Sequence, residues 1–221
     1  SHESESTDEV VFLPKLGVTL HASDNVDISA TIQKGYRAGG VLAPVNNVGV
    51  TTGVEEYDPE YSWNYELALR SQWFDKQLFF NANIFYTEYE DQQVIETVTV
   101  GSSNINFTRT AGESHSYGAE VDVSYRPQSV PGLEIYGNLG LLQTEFDEYV
   151  AGTADYSGND FGRAPELTAA FGVGYFHKSG VFGNIEGSHR DNSYNSSANT
   201  NDIDSQSYHE NHFSAQNFLA L

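Results

Sequence analysis

The sequence predicts an all-β fold: an antiparallel transmembrane β-barrel, present over this chain as about nine to ten strands and therefore incomplete. Three observations predict it. Several segments alternate apolar and polar residues over ten or more positions, the length a tilted strand needs to cross a bilayer. Connections alternate too, with short turns near residues 24, 75, 129 and 179 and long polar loops near 50, 101, 155 and 200. A membrane barrel keeps short turns on one rim and long loops on the other. Finally, Tyr36, Tyr65, Trp73, Tyr86, Tyr117, Tyr125 and Tyr175 lie toward the ends of the apolar faces, where an interfacial girdle belongs. The competing reading is a soluble sheet with ordinary strand aromatics, which has no reason to keep the turn–loop rhythm.

The elements follow in order. Ser1 to Glu9 has no periodicity and reads as a disordered acidic lead-in; the barrel is expected over 10–221. Leu16, Val18 and Leu20 alternate with polar neighbours up to a tight turn at Ser23-Asp24-Asn25. Val26, Ile28, Ala30 and Ile32 then share a face, Lys34 interrupts it, and Tyr36 resumes it. Residues 38–60 read as a long loop. Tyr65, Leu67, Leu69 and Trp73 lead to a turn at Asp75-Lys76, and Leu78, Phe80, Ala82, Ile84 and Tyr86 return. That strand is expected to run on through Val94, Ile95 and Val98, with a reversal over 101–104 into a partner carrying Tyr117, Ala119, Val121, Val123 and Tyr125. Leu133, Ile135, Leu139 and Leu141 follow the turn at 127–132; Leu167, Ala169, Phe171, Val173 and Tyr175 follow a loop at about 148–163. A weaker strand at 181–191, a loop at about 192–208 and a last strand from Phe213 complete the chain.

Composition narrows the function. The 221 residues suffice for one domain with a sizeable core. There is no run of about 18 apolar residues, so no transmembrane helix, and no basic-then-apolar signal-peptide pattern at the start. Met is absent, which leads us to expect a processed or excised piece. The absence of Cys removes disulfides, thiolate metal sites and a Cys nucleophile. With Lys+Arg 10 against Asp+Glu 31 and a net charge of -21, nucleic acid is a poor partner. The 14 Tyr and 13 Phe sit within alternating runs, which argues against disorder for most of the chain.

An ordered set of segments carries a resemblance: LPKLGVTLHASDNV, KGYRAGG, YDPEYSWNYELALRSQWFD, NIFYTEYEDQQV, AGESHSYGAEVDVSYRP, GLEIYGNLGLLQTEFDEY and RAPELTAAFGVGYF. Over roughly 10–192 the chain resembles the C-terminal part of the barrel of TonB-dependent outer-membrane receptors of the iron-siderophore type. The resemblance implies a barrel of about 22 strands closed around a plug, a cell outer-membrane location in a Gram-negative bacterium, a ferric siderophore or similar chelate as ligand, and energy from the TonB complex acting through the plug. It also implies lipid and lipopolysaccharide as neighbours. The chain departs from that pattern: we expect plug, TonB box and final strands to be missing from it. The alternatives are a passive porin-like or adhesive barrel and a soluble β-sheet carbohydrate-binding protein.

Candidate ligand-binding residues are Tyr36 and Arg37, where a strand leaves for a long loop, and Arg109 and Arg163, cations of two further loops. By parity Arg37 points inward with Thr31 and Gln33. A guanidinium there suits an anionic chelate; the alternative is an ion pair with an inward carboxylate such as Glu66. His177, His189, His209 and His212 read as polar loop and rim residues, so no metal site and no cofactor are expected. Glu145, Asp147, Glu148, Asp155 and Asp160 read as a solvated acidic loop, with cation binding as the alternative. There is no GxSxG, HExxH or P-loop motif, so we do not expect an enzyme.

Overall fold

The computed structural model describes residues 10–42, 53, 55–100, 103–199 and 214–215. The expected lead-in at 1–9 and most of the last strand lie outside the described residues. The described chain is all-β: β1 (Lys15–Ser23), β2 (Val26–Arg37), β3 (Gly40–Leu42), β4 (Glu55–Tyr57), β5 (Glu60–Trp73), β6 (Leu78–Glu90), β7 (Gln93–Val100), β8 (Ser103–Thr110), β9 (Ser114–Tyr125), β10 (Leu133–Phe146), β11 (Val150–Ala151), β12 (Ala154–Asp155), β13 (Leu167–Phe176), β14 (Phe182–Arg190) and β15 (Ser214–Ala215). Nine of these form one antiparallel sheet in the order β1-β2-β5-β6-β9-β10-β13-β14-β15. The other six pair off as β3-β4, β7-β8 and β11-β12, which decorate one rim.

Period-two alternation gives the sheet two unlike faces. One carries exposed apolar residues, among them Leu16, Val18, Leu67, Ile84, Leu139, Leu141, Phe171 and Ile185. The other carries Glu66, Arg70, Asn81, Asn83, Glu120 and Asp122, which line an open cleft of about 600 Å³. Register ties the apolar face together: Ile32, Tyr65, Tyr86 and Tyr117 are successive cross-strand partners, and so are Trp73, Leu78, Tyr125 and Ile135. From Tyr117 to Tyr125 the apolar band is about 27 Å along the strand, which a tilt of roughly 40° reduces to about 21 Å. On β10 the band ends at Leu141, opposite Ala119 rather than Tyr117. The band thus slides in register from strand to strand, as tilted strands require.

The turns are tight and chemically specified. Phe74, Asp75 and Lys76 occupy the left-handed region in succession (φ 55°, 54° and 64°), and the Gln77 N–H donates to the Trp73 carbonyl at 3.1 Å. Gly180 at φ 87° closes the His177–Val181 turn, where its N–H donates to the His177 carbonyl at 2.9 Å.

One glycine is fixed by close approach. A Cβ on Gly118 would overlap the Leu141 carbonyl and the ring of Phe85, its cross-strand partner. The ring lies over the bare backbone, an arrangement that rescues a glycine within a strand. Gly118→Val is therefore expected to cost about 1–3 kcal/mol through overpacking, read as a fall in the denaturant midpoint of unfolding.

Two features differ from expectation. The strand from Leu78 does not run on to Val98. It stops at Glu90 because Asp91 takes a left-handed conformation (φ 56°), and β7 starts afresh as half of a separate hairpin. The loops at 38–60 and 148–163 contain the short hairpins β3-β4 and β11-β12.

A sheet with lipid on one side and a polar interior on the other needs no apolar core of its own. The buried apolar cluster of the described residues lies instead at the rim, where the end of β10 meets the loops: Ala111 and Phe146 at 0 % exposure and Tyr149 at 1 %, packed by Val94, Ala151, Tyr156 and Phe161.

Candidate functional site

The long loops leave the sheet at one rim, and there they are fastened to one another. Gln93, at the start of β7, is the central fastener. Its buried side-chain amide donates to the Ala38 carbonyl at 2.9 Å and to the Asp58 carbonyl at 3.1 Å, one on each stem of the 38–60 loop. Its backbone N–H donates to Glu60 Oε2 at 2.6 Å. Asp58 N–H also donates to Thr110 Oγ1 at 3.3 Å. Ser114 Oγ donates to Gln92 Oε1 at 2.8 Å, which pins the start of β9 to the joint between β6 and β7.

The neighbouring loop is fixed by backbone and rings. Gly112 N–H donates to the Glu148 carbonyl at 2.8 Å, and Glu148 N–H returns to the Glu113 carbonyl at 2.9 Å. Phe146 packs at a tilt against Tyr149 at 5.0 Å and Phe161 at 4.7 Å between centroids; Phe161 in turn meets Tyr89 of β6 edge-on at 6.1 Å. Asn159 Nδ2 donates to the Ser197 carbonyl at 2.9 Å, so the last described loop is tied in as well. These contacts make a preorganised rim from loops far apart in sequence.

The sequence candidates fall as follows. Arg37 ends β2 on the polar face, is exposed, and its Nη1 donates to the Gln93 carbonyl at 3.5 Å. The alternative pairing with Glu66 is not formed, because Glu66 lies opposite Thr31, well below Glu60, the cross-strand partner of Arg37. Among the described residues no carboxylate lies within ion-pair distance of Arg37. Tyr36 points to the opposite, apolar face, its ring 5.3 Å from that of Tyr61. Arg109 is half-buried on β8 opposite Val94. Arg163 is exposed in a left-handed turn (φ 63°), with its N–H donating to the Tyr194 carbonyl at 2.6 Å. The structure thus does not bring the four together around one point. Gln93 and Glu60, which organise the rim, carried no sequence signal beyond being polar residues at strand ends.

Tyr65, Tyr86 and Tyr117 lie in one cross-strand row, Trp73 and Tyr125 in another at the turn end, and Tyr175 beyond them opposite Leu133. His189 pairs with Asp191 at 3.2 Å, and His177 bonds Ser179 at 2.8 Å; His209 and His212 lie outside the described residues. Among the described residues no group of three or more His, Asp or Glu is arranged to hold a metal.

Carboxylate crowding marks the rim electrostatically. Burial, with Glu166 and Glu145 nearby, raises the Asp160 carboxyl above its ordinary range; burial, with Asp58 and Glu90, raises that of Asp91. Asp155 is lowered instead, by hydrogen bonds from the Ser157 hydroxyl and N–H. Because the folded value of Asp160 stands above the unfolded one, its stabilising contribution is full below the ordinary carboxylate range and is lost as pH rises through the raised value. The loop cluster is therefore expected to tighten on mild acidification, and Asp160→Asn to give the same tightening at neutral pH. The readout is hydrogen exchange at Phe146 N–H, which donates to the Asn159 carbonyl.

Residues 2–218 match the TonB dependent receptor-like β-barrel family. The chain belongs to that family. Solved relatives share the fold of this TonB-dependent receptor barrel. The ferric yersiniabactin uptake receptor FyuA of Yersinia pestis superposes with a TM-score of 0.66 at 21 % identity, over 85 % of this chain and 27 % of that one. The siderophore receptor PiuA of Acinetobacter baumannii gives 0.62 at 20 %, over 84 % and 27 %. The ferric citrate transporter FecA gives 0.63 at 17 %, over 87 % and 27 %. The chain thus spans about a quarter of the length of these receptors. The family is one of transport receptors rather than enzymes.

Proposed function

We propose that the chain is a sector of the barrel wall of an outer-membrane receptor. That receptor takes up a ferric siderophore or similar anionic chelate, driven by the TonB complex through a plug supplied by sequence outside these residues. The observation that carries the reading is the two-faced sheet: an exposed apolar face bounded by aromatic rows, backed by a charged concavity, with fastened loops at one rim. Water is a poor solvent for the first face and a good one for the second, which is the requirement of a polar-lined membrane barrel. One of the solved relatives is named for ferric yersiniabactin, one for a siderophore and one for ferric citrate.

The test is fractionation of the source cells with an antibody to residues 38–60, with and without iron starvation. An outer-membrane band that rises on starvation supports iron uptake. An outer-membrane band indifferent to iron points to another cargo, and a soluble band overturns the reading.

Within it, Arg37 is the residue we assign to the ligand. Its guanidinium is exposed on the inward face at the rim, and a weak carbonyl contact leaves most of its donors available. Arg37→Ala in the receptor is expected to weaken ferric-chelate binding about 10–100-fold, the worth of one charge-assisted contact. Arg37→Lys should recover only part, because it keeps the charge and loses the fork. Equilibrium binding of radiolabelled chelate to isolated outer membranes reads both.

A further inference from the structure

Lys34 sits on the apolar face of β2, the face of Ile28, Ala30 and Ile32, where a cation is out of place. Its surroundings explain how it is kept there. Trp63 is its cross-strand partner, and its Nζ lies 4.4 Å from the centroid of the Tyr61 ring and 6.0 Å from that of Trp63. The Lys34 N–H donates to the Pro14 carbonyl at 2.9 Å, which holds the extended segment before β1 alongside. Val10, Phe12 and Pro14 then complete, with Lys34, Tyr61 and Trp63, an open cleft of about 390 Å³. Phe12 is 83 % exposed.

Three features say what occupies it. Aromatic faces hold the ammonium but leave its N–H donors without acceptors. Among the described residues of a chain with 31 acidic side chains, no carboxylate lies within ion-pair distance of Lys34. Lastly, Lys34 lies one outward position beyond Ile32 in the row of Tyr65 and Tyr86, level with Trp63. This is where an apolar band gives way to headgroups and where a lysine stem can reach a polar layer. An anion presented from the lipid side, with apolar chains below it, complements that arrangement in charge and polarity. We infer that the Lys34–Tyr61–Trp63 cleft binds the phosphate of an anionic lipid headgroup, with Leu16 and Ile32, one position inward on the same face, against the lipid's apolar portion. The inference rests on the membrane reading given above.

The test uses the receptor carrying this chain, reconstituted in phosphatidylcholine nanodiscs doped with bis-phosphorylated lipid A, then released in mild detergent for native mass spectrometry. The wild type is expected to retain lipid A, Lys34→Arg to retain it, and Lys34→Gln to lose it about tenfold, the loss of one charge-assisted contact. Glu88→Gln, on the same face, should not lower retention. Dephosphorylated lipid A should be lost, and inorganic phosphate should not displace the intact lipid. The proposal is overturned if Lys34→Gln retains lipid A as the wild type does, if dephosphorylated lipid is held equally, or if inorganic phosphate alone accounts for the binding. A receptor that enters nanodiscs yet shows any of these leaves the membrane reading standing; one that does not enter them overturns both.

Discussion

Val121→Arg is expected to cost the folded receptor about 2–4 kcal/mol, the price of a guanidinium near the middle of the lipid face. Val121 is the central outward residue between Tyr117 and Tyr125, opposite Ala82 on one side and Leu139 on the other. Neither neighbour offers a partner for charge. The adjacent residue makes the control: Asp122 points to the opposite face, where Asn81 Nδ2 donates to its Oδ1 at 3.2 Å. Asp122→Asn should change stability by little more than one exposed hydrogen bond, about 0.5–1.5 kcal/mol. Urea titration of the receptor in bilayers of defined composition measures both. Equal, small effects at the two positions would remove the argument that the two faces see different solvents.

Phe146→Ala is expected to open the loop cluster at a local cost of about 3–5 kcal/mol. Phe146 is fully buried, and its ring bridges Tyr149 and Phe161. Since this cluster caps the rim end of β10 and is otherwise built from loop residues, the loss should appear as faster hydrogen exchange at Gly112, Glu148 and Tyr156, whose N–H groups are bonded within it. Exchange in the centres of β9 and β10 should be unchanged. If protection fell in the strands to the same degree, loops and wall would be one cooperative unit, and the preorganised rim would be a consequence of the wall rather than a structure of its own.

The contrast between wall and rim also explains what the sequence made legible. In the wall, side chains alternate with a fixed period of two and each face meets a different solvent, so Leu67, Ile84, Val121 and Leu139 declare their face one by one. The residue types at Asp24-Asn25 and Asp75-Lys76 likewise specify turns. In the rim the determinants are tertiary. Gln93 continues the alternation of Leu78 to Tyr86 closely enough to read as the same strand. What separates it is the left-handed Asp91 and an amide that bonds two carbonyls from another loop. Phe146, Tyr149, Tyr156 and Phe161 look like scattered loop aromatics until the chain folds back and they meet. Parity placed Arg37 on the polar face and by the same rule sets Tyr36 on the other, so the two neighbours cannot share one ligand site through their side chains. That Glu66 stands too far down the wall to pair with Arg37 was beyond parity, because register depends on where the long loop returns.

The central claim is that one face of this sheet meets lipid and the other meets water, and β9 tests it most directly. The chain contains no Cys, so single cysteines introduced from 117 to 125 report their own surroundings in a receptor freed of other thiols. The account predicts alternation: Ala119, Val121 and Val123 positions react with a membrane-soluble maleimide and resist a charged one, while Glu120, Asp122 and Ser124 positions do the reverse. Uniform reaction with the charged reagent along β9 would contradict it.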